Sequence, residues 1–300
     1  MHISKERLRR PVMILLIVLG ALVLGAILFG VLNATVGKGE WTPGWSGYRY
    51  DDSSYRSGNA SIPQKEVRVL SLDWIDGNVE ILACDDTYIS ITEKADSILT
   101  EDACVHWSMD ENGTVSVKYR ASSWILGAGK KNLNKNLTLR IPKKILEGIE
   151  RIEIKTASAN LTLKDLECPA ALAITTDSGE VVLSGGSYAT LAVTSTSGRV
   201  KLHADVKEVL AVTTEGGDVE WSCAIPAPSV AITSRGGDVR LAFSEDSSFA
   251  LAFKTQKGRL SSELAMQEES AAVGEAWIYG TGECHISVTT HYGSLEIKKR

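Results

Sequence analysis

A chain of 300 residues with 44% hydrophobic content has room for one large domain or two small ones. Beyond the first eleven residues it carries 28 Lys+Arg against 36 Asp+Glu, and a surface of that sign repels nucleic acid rather than collecting it. The five cysteines (Cys84, Cys104, Cys168, Cys223 and Cys284) show no C-x-x-C spacing and no metal-like pairing with histidine. That argues against a zinc module and against a disulfide-stapled secreted domain.

Residues 1–11 form a short basic tail containing Lys5, Arg7, Arg9 and Arg10. Val12 to Leu32 are 21 consecutive uncharged, mostly aliphatic positions. At about 1.5 Å per residue a helix of that length spans a hydrocarbon core of roughly 30 Å. The run exceeds the apolar core of a cleavable signal peptide, so residues 12–33 are expected to be a retained transmembrane helix with the lipid bilayer as partner. The positive-inside bias then leaves the tail in the cytoplasm and sends the rest outside. The expected location is the plasma membrane, single-pass, with an extracellular C-terminal domain. Residues 34–66 lack apolar periodicity and are rich in Gly, Ser, Asp and Tyr, which reads as a linker. Its Trp41, Trp45, Tyr48 and Tyr50 suit the headgroup zone.

From Val67 onward the pattern is period two, the mark of strands. "VRVLSLDW", "NVEIL", "YISIT", "TVSVKY" and "LTLRI" follow one another with turn residues between. Only the stretches near 96–107 and 143–148 suit a helical turn. "TTDSGEVVL" (175–183) then returns as "TSTSGRVKL", "TTEGGDVEW", "TSRGGDVRL", "KTQKGRLSS" and "TTHYGSLEI", after a degenerate "KTASANLTL" at 155–163. The repeat-turn glycines are Gly179, Gly198, Gly217, Gly237 and Gly258, with Gly293 after an insertion and Gly77 far upstream.

Leu172 and Ile174 share one phase, and Val181 and Leu183 the opposite one, so each copy needs a corner between two strands. Glycine at that corner is expected to supply positive φ. A unit of about 20 residues cannot bury its apolar stripe by itself, whereas stacked copies can. The expected fold of residues 67–300 is all-β, a β-solenoid of about 20-residue coils; a β-sandwich or prism built from hairpins is the alternative. In the solenoid Leu172, Leu191, Leu210 and Val230 form one interior column, and Val181, Val200, Val219, Val239 and Leu260 another. The residues after the glycines (Glu180, Arg199, Asp218, Asp238 and Arg259) form a column of mostly alternating charge, with Arg235 close to the Asp218–Asp238 clash.

Reaction chemistry is not legible. One acid per twenty residues in "GGDVEW" and "GGDVRL" does not match a calcium-binding roll. His2, His106, His203, His285 and His291 have no ligand spacing, and "LGAGKKN" (126–132) misses the P-loop pattern. The paired hydroxyls, Thr175/Thr176 and their successors, point to opposite faces of a strand, so the inner one is expected to stabilise the corner. No catalytic, cofactor-binding or metal-binding residue is assigned, and the protein reads as a non-enzyme without a cofactor.

The order "LDWIDGNVEI" (72–81), "NLTLRIPKKILEGIERIEIKTASANLTL" (136–163) and serial [TS]-x-[SG]-G-x-φ-x-φ copies resembles the bacterial putative-adhesin family of domains of unknown function, over about 67–297. This resemblance implies a β-solenoid-like ectodomain behind one transmembrane helix, as in LiaG-like proteins, and brings no catalytic residues. The function expected is a cell-envelope protein used for binding, adhesion or scaffolding. The alternative is an envelope-stress sensing or regulatory subunit that acts through a membrane or envelope protein partner.

Overall fold

Alternation in the sequence becomes alternation of faces. Strand Val69–Trp74 buries Leu70, Leu72 and Trp74 and turns Val69, Ser71 and Asp73 outward. Strand Val239–Phe243 likewise buries Val239, Leu241 and Phe243. The computed structural model describes residues 50–63, 67–120, 134–270 and 275–300. The tail, the stretch 12–33, Trp41, Trp45 and Tyr48 lie outside the described residues. No helix among the described residues is long and apolar enough to cross a membrane. Helix is confined there to a 3₁₀ turn at Glu101–Ala103 and one α-helical turn at Lys143–Leu146, within the two stretches expected. The described residues fall into two compact units, one ending at Ala204 and the other running from Asp205 to Arg300.

In the first unit, two parallel sheets are built from successive coils. One sheet is ordered Thr114–Lys118, Val69–Trp74, Arg151–Thr156, Glu167–Thr176 and the second half of Val181–Ser195. The other is ordered Asn136–Pro142, Asn78–Cys84, Asn160–Lys164 and the first half of Val181–Ser195. The long strand bends between its halves at Gly185 and Gly186, both at positive φ (75° and 86°). Leu172 lies beside Leu191, and Leu161 beside Val181, one apolar step per coil. Antiparallel strands cover the outer edges: Tyr88–Lys94 on Asn136–Pro142, Ala60–Pro63 on Tyr88–Lys94, and His106–Met109 on Thr114–Lys118. Residues 56–57 and 60–63, read as linker from the sequence, are thus short strands, and Ile62 is buried.

The second unit repeats this plan. One sheet is ordered 209–214, Ser229–Ser234, Cys284–Thr290 and Phe249–Lys254. The other is ordered Val219–Ser222, Val239–Phe243, Leu295–Lys299 and Leu260–Ser262. Trp221, Phe243 and Phe249 pack in series at centroid distances of 5.5 and 5.2 Å. Strands Glu275–Tyr279 and Gln267–Ser270 run antiparallel outside Phe249–Lys254. The insertion that breaks the sequence repeat is therefore an edge cover, which a stacked repeat needs at its ends.

Parallel pairing between copies makes each unit a β-solenoid and excludes the hairpin sandwich. The stacking order departs from the sequence order. The C-terminal copy lies between the copies at 233–241 and 254–262, so Leu260 neighbours Leu295 and not Val239. At the other end the coil containing Val69–Cys84 lies between two coils that follow it in the chain. Every copy presents the same φ-x-φ pattern at the same rise, so apolar register matches any copy to any other and does not encode their order.

Candidate functional site

Three devices recur at the corners. The first is a close stack of backbones. A Cβ on Gly179 would stand 1.8 Å from Ala159 O, one on Gly198 2.0 Å from Gly179 O, and one on Gly237 2.2 Å from Gly217 O. Gly258 and Gly293 meet Gly293 O and Gly237 O at 2.0 and 1.9 Å. Of the seven repeat-turn glycines only Gly77 has positive φ, 85°. The expectation of positive φ is therefore corrected: at Gly179, Gly198, Gly237, Gly258 and Gly293 glycine is needed because a neighbouring coil's carbonyl occupies the space of a side chain.

The second device is the inner hydroxyl. Ser195 Oγ donates to Gly198 O at 2.8 Å, Thr214 Oγ1 to Gly217 O at 2.9 Å and Ser234 Oγ to Gly237 O at 2.9 Å. Ser195, Thr214, Ser234 and Thr290 are buried, while Thr213, Thr233 and Thr289, each beside one of them, are exposed, the split of faces expected.

The third is a ladder at the position after the glycine. Asn136 Oδ1 accepts the Asn78 N–H at 3.2 Å, and Asn160 Oδ1 accepts the Glu180 N–H at 3.1 Å. In the second unit Asp218 Oδ1 accepts the Asp238 N–H at 3.0 Å, and Asp238 Oδ1 accepts the Ser294 N–H at 2.8 Å. The aspartates at "GGD" serve neighbouring backbone amides. Their like charges are offset by Arg240, which reaches Asp218, Asp238 and Glu296 at 3.7, 3.8 and 3.4 Å. This replaces the expected pairing with Arg235, because Arg240 lies two residues along the strand on the same outward face. Glu180 is paired with Lys201 at 2.9 Å.

Outside these corners, strand faces carry small side chains in register. Ala211, Ala231, Ser287 and Ala252 are neighbours across four strands, followed by Thr213, Thr233, Thr289 and Lys254. Among the described residues no group of three or more His, Cys, Asp or Glu is placed to hold a metal ion. His106 is buried, its Nδ1 3.0 Å from Tyr50 Oη and its ring stacked on Tyr55. Burial holds His285 below the ordinary imidazole range. Cys84, Cys168 and Cys223 are buried and form no disulfide, and burial pushes the Cys223 thiol up to about 12.

One cluster was missed by sequence reasoning. Lys135 has no exposed surface, and its Nζ reaches Glu93 Oε1 at 2.7 Å, Ala103 O at 2.6 Å and Arg120 O at 2.8 Å. The rings of Tyr119 and Trp74 lie 4.4 and 5.6 Å from that nitrogen. Burial lowers the Lys135 pKa against the pull of Glu93, and burial raises that of Asp76 nearby. The signal was present: "KNLTL" at 135–139 has the register of "GNVEI" at 77–81 and "ANLTL" at 159–163. It marks Lys135 as the corner residue of another coil.

The family model described as Toastrack DUF4097 matches residues 67–298. Among solved structures, a putative cell adhesion protein from Clostridium sporogenes is 12% identical, with 82% of this chain and 100% of that chain covered and a TM-score of 0.31. A putative adhesin from Bacteroides fragilis is 14% identical, with 82% and 97% covered and a TM-score of 0.40. One from Parabacteroides merdae is 11% identical, with 81% and 96% covered and a TM-score of 0.31. No curated protein matches the chain. The match over 67–298 spans every solenoid coil described above, and the chain belongs to the Toastrack DUF4097 family, a family of domains of unknown function.

Proposed function

We propose that this is a non-enzymatic cell-envelope protein, anchored by residues 12–33, whose extracellular solenoid serves binding or scaffolding. The observation that carries the reading is the use to which the polar residues are put. Ser195, Thr214 and Ser234, with Asn136, Asn160, Asp218 and Asp238, are committed to backbone partners within the stack, and the outward strand faces carry rows of small side chains in register. Such a surface presents a regular, extended area for a partner rather than a concave reaction chamber. The basic flank of the apolar run supports an orientation with the solenoid outside.

Two experiments on the full chain test this. Protease added to intact protoplasts is expected to remove everything beyond the linker and spare the N-terminal tail; release of a soluble ectodomain without protease contradicts the anchor. Cross-linking of the tagged protein in intact cells is expected to capture an envelope component on the exposed rows. Recovery of the solenoid without any envelope component, under conditions that capture a known envelope complex, contradicts the binding role.

A further inference from the structure

Asn136 pairs with Asn78, so Lys135 stands where other coils carry glycine or alanine, and its carbonyl is the one that packs against Gly77. Its side chain enters a box walled by Trp74 and Tyr119. The side chains of Lys135 and Glu93 are 0% and 2% exposed, so water is excluded from the pair. Taking two charges this far from water is costly, and their attraction only partly offsets it. Two main-chain oxygens, Ala103 O and Arg120 O, hold two N–H groups of the amine. Glu93 Oε1 lies 2.7 Å from Nζ, a contact outside hydrogen-bond geometry. The other carboxylate oxygen, Oε2, accepts the Val105 N–H at 2.6 Å.

We propose that Lys135 and Glu93 condense to an intramolecular isopeptide bond that ties the cap strand Tyr88–Lys94 to the coil it covers. A proton passes from Nζ to Oε1, and the freed lone pair attacks Cδ of Glu93. Negative charge develops on Oε2, where the Val105 N–H already points, as a backbone donor does in an oxyanion hole. The Cδ–Oε1 bond then breaks, and a second proton from Nζ leaves with Oε1 as water. The third hydrogen stays on the amide nitrogen. An ammonium and a carboxylate become one amide and one water, so charge and atoms balance without oxidant, metal or activated co-reactant. Holding the amine and the carboxylate 2.7 Å apart in a closed box supplies the proximity that a bimolecular condensation lacks. Burial aids the step by holding Lys135 toward the neutral amine and Asp76 toward the neutral acid beside it. The product removes a buried ion pair and fastens an end cap in a chain whose described cysteines form no disulfide.

The test is the mass of the full-length protein, purified in detergent and then reduced and denatured. The expected mass lies below that of the sequence by one water, with a branched peptide joining residues 93 and 135 in the digest. Lys135→Met should restore the full sequence mass. A parent protein of full sequence mass overturns the proposal. So does a water loss that maps to a cyclic imide at Asp76–Gly77, which mild base opens and which leaves no branched peptide. If Lys135→Met fails to accumulate, the digest of the parent decides the question by itself.

Discussion

Replacing Gly237 with alanine separates the two explanations of the repeat glycines. The backbone there is not at positive φ, so a purely conformational account predicts no penalty and even a small gain from a less flexible unfolded chain. The stacking account predicts otherwise. The new Cβ would stand 2.2 Å from Gly217 O, 2.5 Å from its carbonyl carbon and 2.8 Å from Asp218 N, all main-chain atoms that cannot swing aside. The coils must part by about 1 Å, an overpacking cost of roughly 1–3 kcal/mol. Parting also weakens the flanking bonds Gly236 N–H to Glu215 O (2.8 Å) and Val219 N–H to Asp238 O (2.9 Å), each worth about 1 kcal/mol. A loss of about 2–4 kcal/mol follows, or roughly 5–12 °C in Tm for a domain of this size. Gly236→Ala is the internal control, because its Cβ meets only Glu215 O at 3.3 Å and Gly216 Cα at 3.8 Å. It should cost less than about 1 kcal/mol. Thermal and denaturant unfolding of the two variants against the parent measures both. Equal stability of the two variants would refute the stacking explanation.

Two further predictions concern the corner and the buried cluster. Ser234→Ala removes a hydroxyl that both accepts from Gly237 N–H at 3.0 Å and donates to Gly237 O at 2.9 Å; denaturant titration should show a loss of about 2 kcal/mol, the cost of stranding buried polar groups, and no change would mean the hydroxyl is decorative. Asp76 has a folded-state pKa raised by burial above the ordinary 3.8, so its contribution to stability is fully present below that value and is lost as pH rises through the folded value. Asp76→Asn should therefore melt with the parent at low pH and above it at neutral pH, and a gap that closes as pH rises would contradict the sign.

What the sequence encodes and what it withholds follow from the period. Leu172 and Ile174 against Val181 and Leu183 reveal two strands and a corner, because side-chain direction is local information. The placement of the C-terminal copy beside 233–241 is not local: Leu241 accepts Ile297 as a neighbour as readily as it would another aliphatic residue. Glycine at 179, 198 and 237 is legible as a requirement, but its cause lies in a carbonyl about 20 residues or more away and is visible only once coils are stacked. Arg240 was hidden because it serves three carboxylates from a strand position rather than from the corner. Lys135 was hidden because a lysine stands where other copies carry glycine or alanine, although its "KNLTL" register placed it at a corner.

The central claim is that copies stack in parallel with the last copy held inside the stack. Thr233, Thr289 and Lys254 lie on adjacent strands in that order, about 4.8 Å from one strand to the next. Spin labels at 233 and 289 should therefore report a shorter distance than labels at 233 and 254, each pair placed in a background whose native cysteines are replaced. The reverse order, with 233 nearer to 254 than to 289, would contradict the account.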